Sequence, residues 1–212
     1  MYLAIDPGFK NLALCILNSS KEIQLWNVYS MIEEENITCD SLKKNGDPCG
    51  KKCSVVWNKI SSCKTHCPKG ATFKQIKKSK VKFLNLQVLT RKILTKLSKI
   101  YDENKEIFDN LKKVAIELQP KINQRMKFIS HIIFCKIIDI VPDTCNVSFV
   151  SASKKLKDCD KKEKCSYAKR KKLSIKKVQE ILKEKNIENL NFNSSNKKDD
   201  LADAFLMCNN LI

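Results

Sequence analysis

Short apolar runs that end in polar turns open the chain, and longer helical periods follow. Residues 2–5 are apolar and partly β-branched, which predicts a buried strand delivering one carboxylate, Asp6. Pro7 then turns the chain by fixing its own φ, and Gly8 permits the positive φ that a tight reversal often needs. The apolar run 12–17 predicts an antiparallel return, and 23–29 a third strand with Trp26 as a packing residue. Residues 74–109 read as one long helix broken near its end. Its stripe of Leu86, Leu89, Ile93, Leu97 and Ile100 packs on a sheet or supplies part of a dimer interface. Residues 114–117 predict another short strand ending in an acid, Glu117, with Pro120 as the breaker. A second helix over 123–140, a fifth strand over 146–150 and a helix over 173–185 follow. Residues 191–196 read as a polar linker from which Ser195 or Asn196 caps a last helix.

Acids stand where this pattern changes. Asp6 and Glu117 each end an apolar strand, where an uncompensated carboxylate costs desolvation energy. Taken alone, Asp6 fits a turn cap as well as a metal ligand. In the last helix Asp200 and Asp203 are three apart and share a face. Asp199 and Asp200 also suit the helix dipole, whereas Asp203 interrupts an apolar face of Leu201, Ala204 and Phe205. Four acids so placed could hold two Mg²⁺ ions about 4 Å apart, the arrangement used for in-line phosphodiester cleavage.

The ordered set Ile5-Asp-Pro-Gly8 with Asn11, Ile116-Glu-Leu-Gln-Pro120 with Asn123, Arg125 and Met126, and Asp199-Asp-Leu-Ala-Asp203-Ala resembles the RuvC-like Holliday junction resolvases. The nearest branch in pattern is that of poxviruses and other large DNA viruses. The resemblance implies an α/β fold: a ribonuclease H-like mixed five-stranded sheet flanked by helices, working as a homodimer on four-way junction DNA. It implies catalytic, Mg²⁺-holding roles for Asp6, Glu117, Asp200 and Asp203, with Asp199 an extra neighbour and Mn²⁺ an acceptable substitute. One metal would activate the attacking water and the other steady the leaving 3′ oxygen. If the viral resemblance holds, the place of action is a reducing intracellular compartment, the host cytoplasm.

Between the third strand and the first long helix lies an insertion of different character, residues 36–70, which leaves 1–35 and 71–212 for the nuclease domain. It reads Cys39-x9-Cys49-x3-Cys53-x9-Cys63-x2-His66-Cys67. Tetrahedral zinc needs four N or S ligands, and a small insertion gains stability from one. The Lys44–Gly50 turn and the Cys63-x2-His66 knuckle select Cys39, Cys49, Cys63 and His66, with Cys53 and Cys67 as spare thiols or substitutes. The pattern also resembles zinc modules inserted in some large-virus resolvases. Four protein ligands make the zinc structural, with no open position. Cys159 and Cys165 have no matching pair nearby.

Charge changes the picture next. Lys plus Arg number 41 against 23 Asp plus Glu, a formal net charge of +18. That excess implies a polyanionic partner, nucleic acid before anionic membrane, although the lysine- and asparagine-rich bias of an AT-rich genome accounts for part of it. No apolar run approaches transmembrane length and no secretory signal is expected, so neither a membrane nor a small-molecule substrate is indicated. The eleven cysteines then read as reduced thiols, some metal-bound. Arg125, one of three arginines, suits bidentate phosphate binding beside the Glu117 strand end. From Lys154 to Lys177 there are twelve Lys/Arg and three acids, with 157–164 loop-like. Lys154, Lys155, Arg170 and Lys171 are the expected DNA contacts there. Two rivals remain: a nuclease of the same fold acting on RNA, RNA–DNA hybrids or flaps, and a non-catalytic zinc-stabilised DNA-binding protein.

Overall fold

Period-two alternation in the first strand divides the larger part of the molecule into two buried faces. The computed structural model describes residues 1–31, 37–57, 60–67, 74–75, 84–151 and 167–212. In chain order the strands and helices are β1 (Tyr2–Asp6), β2 (Asn11–Leu17), β3 (Ile23–Ser30), β4 (Val55–Trp57), β5 (Ile60–Ser62), β6 (Lys74–Gln75), α1 (Leu86–Glu103) and α2 (Lys105–Asp109). They continue with β7 (Lys113–Glu117), α3 (Gln124–Ile140), β8 (Asn146–Val150), α4 (Tyr167–Glu184), α5 (Leu190–Ser194) and α6 (Lys198–Asn209). The chain forms two compact units, Met1–Ile32 with Asn85–Ile212, and Glu33–Leu84. Among the described residues no helix is long and apolar enough to cross a membrane, and no described cysteine forms a disulfide.

The first unit is built on a mixed five-stranded sheet of order β3-β2-β1-β7-β8. β1, β2 and β3 run antiparallel to one another in turn, while β7 is parallel to β1 and β8 parallel to β7. A mixed five-stranded sheet flanked by helices is what the resemblance implies. Leu3 and Ile5 of β1 are fully buried on one face, the side covered by α1 and α3. The buried stripe Leu89, Ile93, Leu97 and Ile100 of α1 packs there with Ile129, Ile133 and Ile137 of α3. On the other face Ala4, Ala13, Cys15 and Ala115 form one core with Leu201, Ala202, Ala204 and Phe205 of α6 and Val178 and Leu182 of α4. Small residues on the sheet let α6 lie close to it, and α4 packs against α6 from outside. Trp26 locks this layer: its indole N–H donates to the Leu201 carbonyl at 3.0 Å, and its ring stacks on Phe192 at 5.0 Å.

Besides the expected cap of the last helix by Ser195 or Asn196, whose place Lys197 takes with no side-chain cap hydrogen bond, three expectations need correction. Lys74–Gln75 and Leu84–Asn85 are not helical, and residues 76–83 lie outside the described residues. Lys74–Gln75 is the strand β6, paired with β4, and the helix begins at Leu86 beneath an Asn85 cap that accepts from the Gln87 N–H at 2.8 Å. The break near the end falls at Asn104. Second, the polar stretch 191–196 contains most of α5, because fully buried Phe192 is drawn into the Trp26 stack. Third, α4 begins at Tyr167, so Lys169, Arg170 and Lys171 form its first turns rather than a stretch before the helix.

The second unit folds by hairpins. Isolated bridges Thr38↔Lys52 and Leu42↔Pro48 define the first, whose tip closes through Lys43 N–H to Asp47 O (2.7 Å) and Gly46 N–H to Lys43 O (3.0 Å). Gly46 has φ 85° and Gly50 φ 63°, left-handed values that any side chain would strain. A three-stranded antiparallel sheet of order β5-β4-β6 completes it, which extends the unit beyond the expected 36–70. Its buried cluster consists of three cysteines, Cys39, Cys49 and Cys63.

Candidate functional site

The register of the two central parallel strands brings the first two acids together. Tyr2 lies opposite Lys113 and Ile5 opposite Ile116, so Asp6 and Glu117 end neighbouring strands at one level, about 4.8 Å apart along the sheet. Asp6 lies opposite Ala13, and Glu117 is two residues beyond Ala115. Both alanines belong to the core beneath α6, so both carboxylates face the α6 side.

α6 runs back along β1. Its Cys208 thiol donates to the Tyr2 carbonyl at 3.1 Å, and its Asn209 carbonyl accepts from Lys21 Nζ at 3.2 Å, both at the far end of the sheet from Asp6. Eight helical residues from Cys208 back to Asp200 rise ~12 Å. Four strand residues from Tyr2 to Asp6 rise ~13 Å. The first two turns of α6 therefore stand level with Asp6 and Glu117, and Asp203 interrupts a run of buried residues there, Leu201 to Cys208. The donor set is carboxylate oxygen, suited in kind to Mg²⁺ or Mn²⁺. Among the described residues, no three of these acids bring ligand atoms within 4.8 Å of one another.

Asp199 is committed elsewhere. It forms a part-buried ion pair with Lys171 of α4, so that lysine lies against the acidic end of α6 rather than on an open edge. Desolvation raises the Asp199 pKa, but the hydrogen bond and charge of Lys171 outweigh it and hold the carboxyl below its usual value. Asp200 goes the other way: desolvation, then the charges of Asp199 and Asp203, push it above 3.8, against the pull of Lys197 and Lys171. An acid whose folded pKa is raised favours the fold below its unfolded pKa and loses that contribution as pH rises through the folded value. One whose pKa is lowered favours the fold above its unfolded pKa and loses that as pH falls. Metal-free Asp200→Asn should therefore melt higher than the parent at neutral pH, by a few degrees at about 2–4 °C per kcal/mol, and show no gain below pH 3.8. Lys171→Met should melt lower at neutral pH. Thermal scans across pH check both, and a destabilised Asp200→Asn would remove the repulsion argument.

Phe9 and Arg125 form the rim. Asn123 caps α3 by accepting from the Met126 N–H at 3.1 Å, and the Arg125 guanidinium sits over the Phe9 ring, 6.0 Å from its centroid. The pair ties the loop after Asp6 to the helix after Glu117, a contact that no spacing in the sequence reveals. Gly8 is needed for a different reason from the one expected. Its φ is not positive; a Cβ there would meet the Asn11 carbonyl oxygen at 2.4 Å. Arg170 is exposed on α4. Lys154 and Lys155 lie outside the described residues, as do 157–164, Cys159 and Cys165. His131 is exposed on α3 beside Phe149, with its Nδ1 2.6 Å from the Lys127 carbonyl oxygen.

In the second unit Cys39, Cys49, Cys63 and His66 present one ligand atom each, all within 4.8 Å of one another. Tetrahedral zinc with ordinary bond lengths separates two sulfurs by ~3.8 Å and a sulfur from a nitrogen by ~3.6 Å. The observed separations are 3.9 Å for Cys49–Cys63, 3.5 Å for Cys39–His66 Nδ1 and 3.7 Å for Cys63–His66 Nδ1. The residues fit a zinc ion. Although desolvation opposes it, the Cys63 backbone, Ser41 and His66 hold the Cys39 thiol down at about 6, near the thiolate a metal requires. Cys49 is raised: a backbone hydrogen bond from Lys51 is outweighed by desolvation and the neighbouring Cys63 and Cys39. Cys53 is not in the group. Its thiol donates to the carbonyls of Val55 (3.0 Å) and Ser62 (3.3 Å), which makes it a structural thiol.

No protein-family model and no curated protein matches the chain. Among solved structures, the chain is similar to Thermus thermophilus RuvC in complex with a Holliday junction substrate, with a TM-score of 0.47 and 11% identity over 99% of this chain and 90% of that one. A second structure of Thermus thermophilus RuvC gives a TM-score of 0.48 and 10% identity over 99% and 91%. At this distance neither assigns a role to any residue here.

Proposed function

We propose that the protein is a Mg²⁺-dependent endonuclease that resolves four-way DNA junctions by paired, symmetric nicks. One observation carries the reading: Asp6 and Glu117 end neighbouring parallel strands at one level, facing the helix whose first turns hold Asp200 and Asp203. A protein that only bound polyanions would gain nothing from acids gathered at one sheet edge, where they repel phosphate. These four residues would hold the divalent metal, which supplies Lewis-acid polarisation of the phosphate and activation of water. Lys171 offsets part of the carboxylates' charge through Asp199. Arg125, braced on Phe9, offers a planar donor to phosphate beside the acids, and exposed Arg170 offers another charge on α4. The zinc ion held by Cys39, Cys49, Cys63 and His66 would be structural.

A four-way junction has approximate two-fold symmetry, and one carboxylate cluster does not readily reach two opposed strands, so the working species is a homodimer with one site per strand. On a supercoiled plasmid extruding a cruciform, with Mg²⁺, linear product should form with few nicked circles, and EDTA should stop the reaction. Flap, RNA–DNA hybrid and linear duplex substrates, run alongside, should be cut far more slowly. Accumulation of nicked circles by a monomer, or preference for the hybrid, would replace the junction with a simpler nuclease substrate.

A further inference from the structure

The second unit carries a charge pattern that its metal site does not explain. The unit's sequence, residues 33–84, opens on the acidic run Glu33–Glu35, and beyond it has twelve lysines and two acids, Asp40 and Asp47. Both acids are engaged locally: Asp40 accepts from the Ser61 N–H at 2.7 Å, and Asp47 from Asn45 Nδ2 at 2.7 Å. Lys43, Lys44, Lys51 and Lys64 are exposed, and none forms an ion pair with a described residue. Two of them stand at the tip of the first hairpin beside Leu42, which is 61% exposed although it is bridged to Pro48. The tip's turn closes on itself through backbone hydrogen bonds, and Cys49, one residue past Pro48, joins it to the Cys/His cluster.

We infer that this hairpin is a second nucleic-acid contact, in which Lys43 and Lys44 hold phosphates while Leu42 lies against an unstacked base. An exposed leucine followed by two lysines on a hydrogen-bonded turn has the make-up of the apolar wedges that proteins insert between base steps. A four-way junction offers open base faces at its centre that continuous duplex does not. Charge complementarity favours nucleic acid over an anionic lipid surface, because the polar residues Asn45 and Asp47 at the same tip would have to be dehydrated to enter a bilayer. The inference rests on the reading that the chain acts on DNA.

The test uses the full chain, with zinc content checked in every variant. Lys43→Ala with Lys44→Ala should weaken binding to a synthetic four-way junction about tenfold and reduce the slope of log affinity against log salt by about 2. Leu42→Ala should weaken junction binding several-fold, with the salt slope and the affinity for linear duplex unchanged. Parent protein that binds and cuts junctions while zinc-loaded variants match it in affinity and slope would overturn this contact and leave the proposed function standing. A parent that binds no DNA would overturn both. If the double variant loses binding to phosphatidylserine vesicles and keeps its DNA affinity, the hairpin is a membrane contact instead.

Discussion

Replacing Asp6 by Asn, or Glu117 by Gln, should lower the rate of junction cleavage by about 10²–10³-fold or more while leaving junction binding intact or tighter. The two substitutions keep shape and hydrogen-bonding capacity but remove a negative charge and a metal-holding oxygen. Both positions end central strands whose preceding residues are fully buried, so the exchange does not disturb the core. Loss of one carboxylate beside phosphate weakens electrostatic repulsion, which is why affinity should not fall. Asp203→Asn should behave in the same way. Asp199→Asn should differ in kind: it breaks the ion pair with Lys171 and is expected to act first on stability, with a smaller loss of rate. Single-turnover cleavage and binding in Ca²⁺ separate the two quantities. Full Mg²⁺-dependent activity in Asp6→Asn or Glu117→Gln would strike that residue from the site.

What could be read in advance follows from the range of the interactions involved. The central strands and the buried stripe of α1 were legible, because alternation and 3.6-residue periods are local consequences of which face is buried. The start of α1 was not. Lysines between 74 and 85 have good helix propensity, yet Lys74–Gln75 obeys its pairing with β4, and the helix waits for Asn85 to cap it. α5 was missed for a similar reason: its one large apolar residue, Phe192, is buried by a stack with Trp26, far away in sequence. Of the candidate acids, Asp6 and Glu117 stand out in sequence because carboxylates at the ends of apolar runs are locally costly. The Lys171–Asp199 pair and the Arg125–Phe9 contact leave no such mark, since each joins residues whose neighbours look like ordinary charged surface. Gly8 reads in sequence as a turn residue whichever reason holds, because a close backbone approach cannot be distinguished there from a positive φ.

Cys49→Ser should cost the protein its zinc and unfold the second unit while the five-stranded sheet stays folded. The reason lies in what that unit buries. Its core cluster is the three cysteines themselves, its strands β4 to β6 are two or three residues long, and its hairpin tip is closed by backbone hydrogen bonds exposed to water. Structural zinc supplies roughly 10 kcal/mol or more of binding free energy that is also folding free energy, far beyond what so small an apolar core provides. The parent should contain one zinc per chain that survives mild EDTA, whereas the metal needed for cleavage is stripped at once. In Cys49→Ser the zinc should be absent, and amide exchange should become fast across 37–67 while Leu3–Ile5 and Val114–Ile116 stay protected. Cys53→Ser is the control. Its thiol serves the carbonyls of Val55 and Ser62, so zinc should remain at full occupancy with only a modest loss of stability. Retention of zinc in Cys49→Ser and its loss in Cys53→Ser would reassign the fourth ligand.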